Sequence, residues 1–455
     1  MNKKILVLLK IYKGDLNPFD ECALECALSC PNSDVTVLAM APLSYLETLQ
    51  NITRLGCKAV LVSDKLYAGS DTIATSKVLA KAIEYLKPDL IFAGRQSVDG
   101  NTAQVPMMLS ELLGFQLVKK VIYFNDFVIK TRKDEQFELR EKQILTFEKF
   151  KLLRAPSMFS KKGEVIILDN KTLALNENEV GQKGSPTQVV KTYSNDSDRR
   201  FCKFIQFSDL NKVIKTSIDK KPVLKQEKIN KVKLIHYVGN LKDVASKYAE
   251  KTIDFDVEGL SINAIIEKIK VEKPKVILWE ECDKYKELAS RVAIRLNAGL
   301  CADCISFNSL NNRFILTRPA LGGDVIADIV SSSDVSMATI KASTIASEQV
   351  AITVGRGAVD LKKVNDFAKQ YNANVYCSRP LADLGIIDYS KQVGLTGISI
   401  SPKVCITIGT SGAIQHIVGI NKAQTIIAIN NDKKAKIFDY ADYGVVMDAK
   451  DIRRV

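Results

Sequence analysis

The sequence predicts an α/β fold built of parallel-sheet domains. Three observations lead there. From Lys4 onward, β-rich apolar runs alternate with amphipathic stretches of helical length, the pattern of strands covered by helices on both faces. That rhythm breaks and restarts twice, near Lys233 and near Val350. Between Val354 and Asp448, Gly-rich turns stand where a strand should hand over to a helix, the place where free main-chain N–H groups can meet a phosphate.

Taken in order, residues 4–10 read as a first strand and 20–29 as an amphipathic helix. Residues 34–40 are β-rich, 44–55 helical and 59–63 a strand. Residues 72–86 form a helix behind Asp71, whose short acidic side chain suits an N-cap. A strand at 89–93 and a helix at 102–113 follow. From Lys119 to Phe150 the period shortens to two, as in Phe137-Glu138-Leu139-Arg140, which predicts an antiparallel addition to the sheet. Periodicity fades after Lys191. The stretch 211–233 carries eight Lys and two acidic residues, so a linker is expected at about 218–232. Strands and helices return at 233–238, 276–280 and 285–296, and again at 350–354, 373–377, 404–408 and 425–429. There is also an internal echo. Residues 80–113 and 263–296 both run helix, Lys-Pro-led strand, helix, which suggests two related units in one chain, with convergent βαβ sequence as the alternative.

Composition narrows the function. A chain of 455 residues suffices for two or three domains. Its 46% hydrophobic and 26% charged residues fit a soluble globular protein, and no apolar run reaches membrane-spanning length, so no membrane insertion is expected. The apolar start stops at Lys10 without a small-residue cleavage pattern, so a cytoplasmic location is expected. The ten Cys then read as free thiols. Cys22, Cys26 and Cys30 share a helix face and read as buried small residues, with metal ligation the alternative. Cys301 and Cys304 form a single CxxC with no second pair; a redox or zinc role is the lesser reading. The net charge of +13 comes from scattered Lys without aromatic interleaving, which argues against nucleic acid as a partner. No triad or metal constellation stands out, so no catalytic residue and no metal ligand is assigned.

The chemistry lies in the motifs. Gly409-Thr410-Ser411-Gly412-Ala413-Ile414-Gln415-His416, Gln392-Val393-Gly394-Leu395-Thr396-Gly397 and Thr317-Arg318-Pro319 with Gly322-Gly323 closely resemble the α subunit of electron transfer flavoprotein. In that family the patterns are GxSGAIQH, QVGxTG and TRPxxGG, and Ala302-Asp303-Cys304 also fits. Leu395, Thr410 and Asn431 stand where the family more often has Gln, Ile and Lys. The N-terminal half resembles the β subunit, through Leu16-Asn17-Pro18-Phe19-Asp20-Glu21, Gly69-Ser70-Asp71-Thr72, Gly94-Arg95-Gln96-Ser97-Val98-Asp99-Gly100 and Gly184-Ser185-Pro186-Thr187-Gln188-Val189. The resemblance covers nearly the whole chain.

It implies Rossmann-like (adenine-nucleotide-hydrolase-like) parallel-sheet domains plus a C-terminal doubly wound FAD-binding domain. The expected division is a β-subunit-like nucleotide-binding domain over 1–217, a linker over 218–232, a shortened α-subunit-like domain over 233–339 and the FAD-binding domain over 340–455. The resemblance assigns FAD to Arg356, Ser378, Arg379, Gln392, Val393, Gly394, Leu395, Thr396, Gly397, Ser411, Gly412, Ala413, Ile414, Gln415, His416, Asn430 and Asp448. Within this set Arg379 is expected against the ring, Thr396 toward the flavin N5 and His416 toward the N1–C2 edge. A cation about 4 Å from a ring that takes up an electron contributes roughly 4 kcal/mol at an effective dielectric near 20, or on the order of 170 mV for one electron. A second nucleotide, AMP or a second FAD, is assigned to Asn17, Pro18, Phe19, Asp20, Asp71, Thr72, Gly94, Arg95, Gln96, Ser97, Val98, Asp99, Thr102 and Gln104. The implied function is a fused, single-chain electron carrier. Its expected donor is a flavoprotein dehydrogenase, an acyl-CoA dehydrogenase of fatty acid β-oxidation, and its acceptor a second redox partner. Two readings stay beside it: a nucleotide-binding scaffold or sensor without redox function, and an NADH-oxidising, electron-bifurcating flavoprotein.

Overall fold

Strand β1 (Lys3–Leu9) is buried from Ile5 onward on both faces, as a central parallel strand must be. Helix α1 (Pro18–Leu28) follows, opening on a proline at its first position, where the fixed φ is already helical. The chain continues through β2 (Ser33–Met40), α2 (Leu46–Thr53), β3 (Lys58–Val62), α3 (Thr72–Leu86), β4 (Leu90–Gly94), α4 (Gln104–Leu113), β5 (Gln116–Phe124), β6 (Gln143–Phe147) and β7 (Val165–Leu168). These strands lie in the order β7-β3-β2-β1-β4-β6-β5, parallel throughout. Ile5, Val7 and Leu9 pack into one core layer, and Leu6 and Leu8 into another.

The expected antiparallel addition at 119–150 is confined to a short hairpin, Ile129–Thr131 with Gln136–Phe137, beyond β5. The strands on either side of it, β5 and β6, pair in parallel. All five residues of β6 are buried, so it belongs to the sheet interior, and the alternation seen in sequence marks only the half-exposed outer pieces.

A second parallel sheet uses β8 (Val232–Val238), α5 (Lys242–Tyr248), β9 (Ala249–Asp254), α6 (Ile262–Glu272), β10 (Val276–Glu280), α7 (Asp283–Leu296), β11 (Leu300–Cys304) and β12 (Ser336–Ile340). Its order is β9-β8-β10-β12-β11. This repeats β2-β1-β4-β6-β5 strand for strand, with α6-β10-α7 in the role of α3-β4-α4. The internal echo is therefore a repeat of topology. The second copy is shorter, with no counterpart of β3 and β7 among the described residues. Lys119 pairs with Glu287 (2.5 Å) and Arg291 with Glu111 (2.8 Å) where the two copies meet.

The C-terminal sheet uses β13 (Val350–Val354), α8 (Leu361–Lys369), β14 (Asn374–Cys377), β15 (Val404–Ile408), α9 (Ile414–Ile420), β16 (Thr425–Asn430) and β17 (Tyr443–Val446). The parallel order is β17-β16-β15-β13-β14, extended beyond β17 by Lys203–Phe204. This is doubly wound: the chain runs one way from β13 to β14 and the other way from β15 onward.

The structure, a computed structural model, describes residues 3–125, 128–133, 135–194, 199–219, 230–310, 313–320, 325–341, 348–358, 360–394 and 397–452. It forms two compact units. One comprises Met1–Lys191, Asn230–Leu321 and Ala327–Ile340; the other comprises Thr192–Ile229, Gly322–Ile326 and Lys341–Val455. The first run of the first unit ends at Lys191, where the sequence led to an expected boundary at 217. Lys203–Phe204 adds to the C-terminal sheet, and Leu210 and Ile214, from the helix Leu210–Asp219, are fully buried in the core around Val350, Ile352 and Ile406. The centre of the expected linker lies outside the described residues. Cys22, Cys26, Cys30, Cys301 and Cys304 are buried free thiols. Among the described residues no helix is long and apolar enough to cross a membrane.

Candidate functional site

Two places in the chain carry the architecture of a ligand site, one in each unit. In the first unit, β2 and β4 flank β1, so the loops after β1 and β4 part and leave a crevice at the switch point. A cavity of about 970 Å³ opens there. Asp20 ties its two walls together. The main-chain N–H of Gly94 donates to Asp20 Oδ1 (2.9 Å) and that of Lys10 to Oδ2 (2.7 Å). A side chain at Gly94 would meet Asp20 Oδ1 at 2.2 Å, so only glycine fits. Burial pushes the Asp20 carboxyl up to about 7, against the downward pull of the Lys10 and Gly94 N–H groups and of Asn17. Asn17 Nδ2 donates to Gln96 O (2.9 Å), while its buried Oδ1 has no partner. Lys10 Nζ lies 3.3 Å from Asp99 Oδ2. Burial raises the Asp99 carboxyl, but Lys10, the Ser97 hydroxyl and the Gly100 N–H outweigh it and hold the group low.

Of the residues assigned to the second nucleotide, Asn17, Asp20, Asp71, Thr72, Gly94, Gln96, Ser97, Asp99, Thr102 and Gln104 line this cavity. Pro18, Phe19, Arg95 and Val98 do not line it. Arg95 turns into the protein, ion-paired to Glu148 (3.2 Å) and stacked 5.0 Å over the Phe19 ring; a buried guanidinium needs a carboxylate, and Glu148 supplies it. Asp71 is a cap as well as a wall residue: Oδ1 accepts from the Ile73 and Ala74 N–H groups, and Oδ2 from the Thr187 N–H and hydroxyl. Sequence reasoning missed the apolar and loop walls, among them Met40, Pro42, Leu43 and Tyr67, which carry no motif.

In the second unit the switch point falls between β13 and β15. Arg356 follows β13, Ser378 and Arg379 follow β14, Ser411, Gly412 and Ala413 follow β15, Asn430 ends β16 and Asp448 follows β17. Five loops thus bring the assigned residues to one edge of one sheet. The glycines here make room for other backbone. Gly357 N–H donates to Gly409 O (3.1 Å) and Gly355 N–H to Ile408 O (2.9 Å). Gly409 adopts φ +62°, and a Cβ there would sit 2.5 Å from Ala358 N; one at Gly412 would sit 2.1 Å from Ile437 N. The two turns interlock at the switch point. Asn430 locks the next loop, donating to Thr410 O (2.8 Å) and accepting from the Asp432 N–H (2.9 Å). Thr410 Oγ1 is buried there without a partner. Asp448 accepts from the Lys450 N–H.

Of the remaining assigned residues, Gln392, Val393, Gly394 and Gly397 belong to a wall beside α9. Gln392, Val393 and Gly394 are buried, and Gln415 O sits where a side chain of Gly394 would be. Leu395 and Thr396 lie outside the described residues. His416 is buried beside this wall. Its Nδ1–H donates to Val393 O (3.1 Å), which leaves Nε2 to accept from Thr353 Oγ1 (3.2 Å). Burial drives its pKa down to about 4, against the pull of the Val393 carbonyl, so the ring is neutral. Arg379 donates to Asp383 Oδ2 (3.1 Å), which offsets much of its field.

Comparison with known proteins agrees with this layout. Residues 5–138 and 251–366 match the electron transfer flavoprotein domain, and residues 344–421 match the electron transfer flavoprotein FAD-binding domain.

The chain belongs to the electron transfer flavoprotein family.

It joins similarity to both subunit types of that family. It is 37% identical over 202 residues to an electron transfer flavoprotein β subunit of Thermoanaerobacterium thermosaccharolyticum, covering 40% of this chain and 77% of that one. It is 33% identical over 242 residues to the α subunit of the same organism, covering 43% of this chain and 73% of that one. It is also 31% identical over 236 residues to lactate dehydrogenase (NAD(+),ferredoxin) subunit LctC of Acetobacterium woodii, covering 42% of this chain. The chain spans 56% of the length of LctC. As in other electron transfer flavoproteins, the C-terminal domain binds FAD. The residues present fit that group: a buried hydroxyl without a partner at Thr410, hydroxyls at Ser378 and Ser411, and two arginines on the same rim.

Proposed function

We propose that this protein is a single-chain electron carrier that accepts electrons from a flavoprotein dehydrogenase and hands them to a second redox partner. The observation that supports it most is the convergence of five loops at the switch point of the C-terminal sheet, within the FAD-binding domain. When bound, FAD supplies the redox chemistry, and the protein's part is to hold and tune it. Ser411, Asn430 and Arg356 would anchor the dinucleotide, Arg379 would add a partly offset positive charge, and neutral His416 would fix the wall at Val393. The donor we favour is an acyl-CoA dehydrogenase. The loop that would meet it is Leu152 to Phe159, where Leu152, Met158 and Phe159 are at least four-fifths exposed. Arg154 anchors that loop on Glu25 through both carboxylate oxygens.

The N-terminal cavity would take an adenine nucleotide, AMP in our reading. Its volume lies at the upper end of the roughly 300–1,000 Å³ usual for small-molecule sites, and the free Asn17 Oδ1 offers an acceptor for an exocyclic amino group. A second FAD is the other outcome. The likeness to LctC, whose name carries NAD(+) and ferredoxin, favours a second reading in which electrons come from a pyridine nucleotide. One set of measurements separates these. Flavin absorbance of the purified protein, mass spectrometry of released nucleotides, and anaerobic mixing with NADH or with a reduced acyl-CoA dehydrogenase would be compared. FAD with AMP and reduction only by the dehydrogenase supports the carrier. A colourless protein that takes up no FAD overturns it, and direct reduction by NADH with two FAD per chain selects the second reading.

A further inference from the structure

Lys341 directly follows β12 and is the first residue of the C-terminal run Lys341–Val455. Sequence reasoning gave it no role. In the structure its ammonium donates to two carbonyl oxygens, Gly394 O (3.0 Å) and Gly397 O (2.5 Å). Those same residues are tied by Gly397 N–H donating to Gly394 O (3.2 Å), and Gly394 N–H donates to Ile398 O (3.1 Å). One residue earlier, Val393 O accepts from His416 Nδ1. The described carbonyls of this wall are therefore gripped from two sides, Val393 O by a neutral imidazole and Gly394 O and Gly397 O by a positive ammonium more than fifty residues upstream in sequence.

Two consequences follow from elementary electrostatics. A hydrogen bond from a charged donor is about twice as strong as a neutral one. A fixed positive charge at a flavin wall also stabilises reduced flavin over oxidised flavin, because reduction adds negative charge. Of the two basic side chains expected beside the flavin ring, Arg379 is offset by Asp383, and burial holds His416 neutral.

We infer that Lys341 is a positioning residue of the flavin site: it holds the carbonyls of Gly394 and Gly397 in place and brings a positive charge to this wall. This rests on the reading that the C-terminal unit holds FAD, and the experiment checks that first. Wild-type full-length protein is stripped of flavin and titrated with FAD, and its midpoint potential is measured by spectroelectrochemistry. Failure of the wild type to take up FAD would count against the site itself. The variants K341R, K341Q and K341M then test the lysine. K341M should bind FAD about tenfold more weakly, the loss of roughly one charge-assisted hydrogen bond. It should lose about a further tenfold in affinity for the reduced flavin, a fall of about 59 mV for one electron. K341R should keep both values near wild type. K341Q retains a donor without the charge, so its potential should fall while FAD binding largely persists. If K341M does not fold, the K341Q potential decides. A wild-type potential in the charge-free variants overturns the inference, even where FAD binding weakens, because a purely structural lysine would leave the potential unmoved.

Discussion

Gly409→Ala tests whether the interlocked turns at the switch point build the FAD site. Gly409 has φ +62°, a region that costs an alanine about 1–2 kcal/mol. Its new Cβ would also sit 2.5 Å from Ala358 N and from Gly357 C, where ordinary contact begins at 3.4 Å. Both neighbours are backbone and cannot swing aside, so the loops after β13 and β15 must part by about 0.9 Å. Overpacking of this kind costs a further 1–3 kcal/mol or so. Gly385→Ala is the control. Gly385 has a similar φ of +69° with nothing within 4 Å, so that variant pays only for backbone conformation. Thermal or chemical unfolding of the flavin-free proteins should show Gly409→Ala losing about 1–3 kcal/mol more than Gly385→Ala. FAD titration should show affinity falling at least about tenfold in Gly409→Ala and staying near wild type in Gly385→Ala. Equal stability losses would refute the clash, and wild-type FAD affinity in Gly409→Ala would refute the link between the interlock and the site.

Three further outcomes are expected. Ser411→Ala with Asn430→Ala should lower the FAD content of the purified protein without unfolding it, since Asn430 ties the β16 loop to Thr410 O; full flavin loading in the double variant would count against the assignment. His416 has a folded-state pKa near 4, below the ordinary 6.5, so the native state resists protonation. Its penalty is absent above pH 6.5 and grows as pH falls toward 4, to about 3 kcal/mol; His416→Gln should flatten that part of the stability profile, and an unchanged profile would show the ring is not buried neutral. Finally, Leu210→Ala with Ile214→Ala should release the helix Leu210–Asp219 from the C-terminal core, because each buried truncation costs about 2–5 kcal/mol. Hydrogen exchange of its amides should speed up by orders of magnitude, and unchanged protection would restore the boundary at 217.

Much of the fold was legible because its causes are local. Strand and helix alternation, the Asp71 cap and the Gly-rich strand ends follow from side-chain period and backbone freedom, and both are written in consecutive residues. Where the sequence reading went astray, the cause was non-local. Strand β6 looked like part of an antiparallel piece because alternation records exposure and not strand direction. Residues 192–217 were placed with the N-terminal domain because they follow it in the chain, yet Leu210 and Ile214 bury their side chains in a core made more than a hundred residues later.

The same division runs through the site. Sequence alone determined which residues the C-terminal turns contain, that they sit at strand ends, and that the chain joins two related halves. Only the tertiary structure decided their roles. It showed that the glycines fit backbone against backbone and that Arg95 faces Glu148 and not the cavity. It also showed that burial strips His416 of its charge, and that Lys341 reaches the wall it holds. Composition and spacing fix what a segment can do alone. Charge state, burial and partner choice depend on what the fold brings within a few ångströms, which adjacent residues cannot specify.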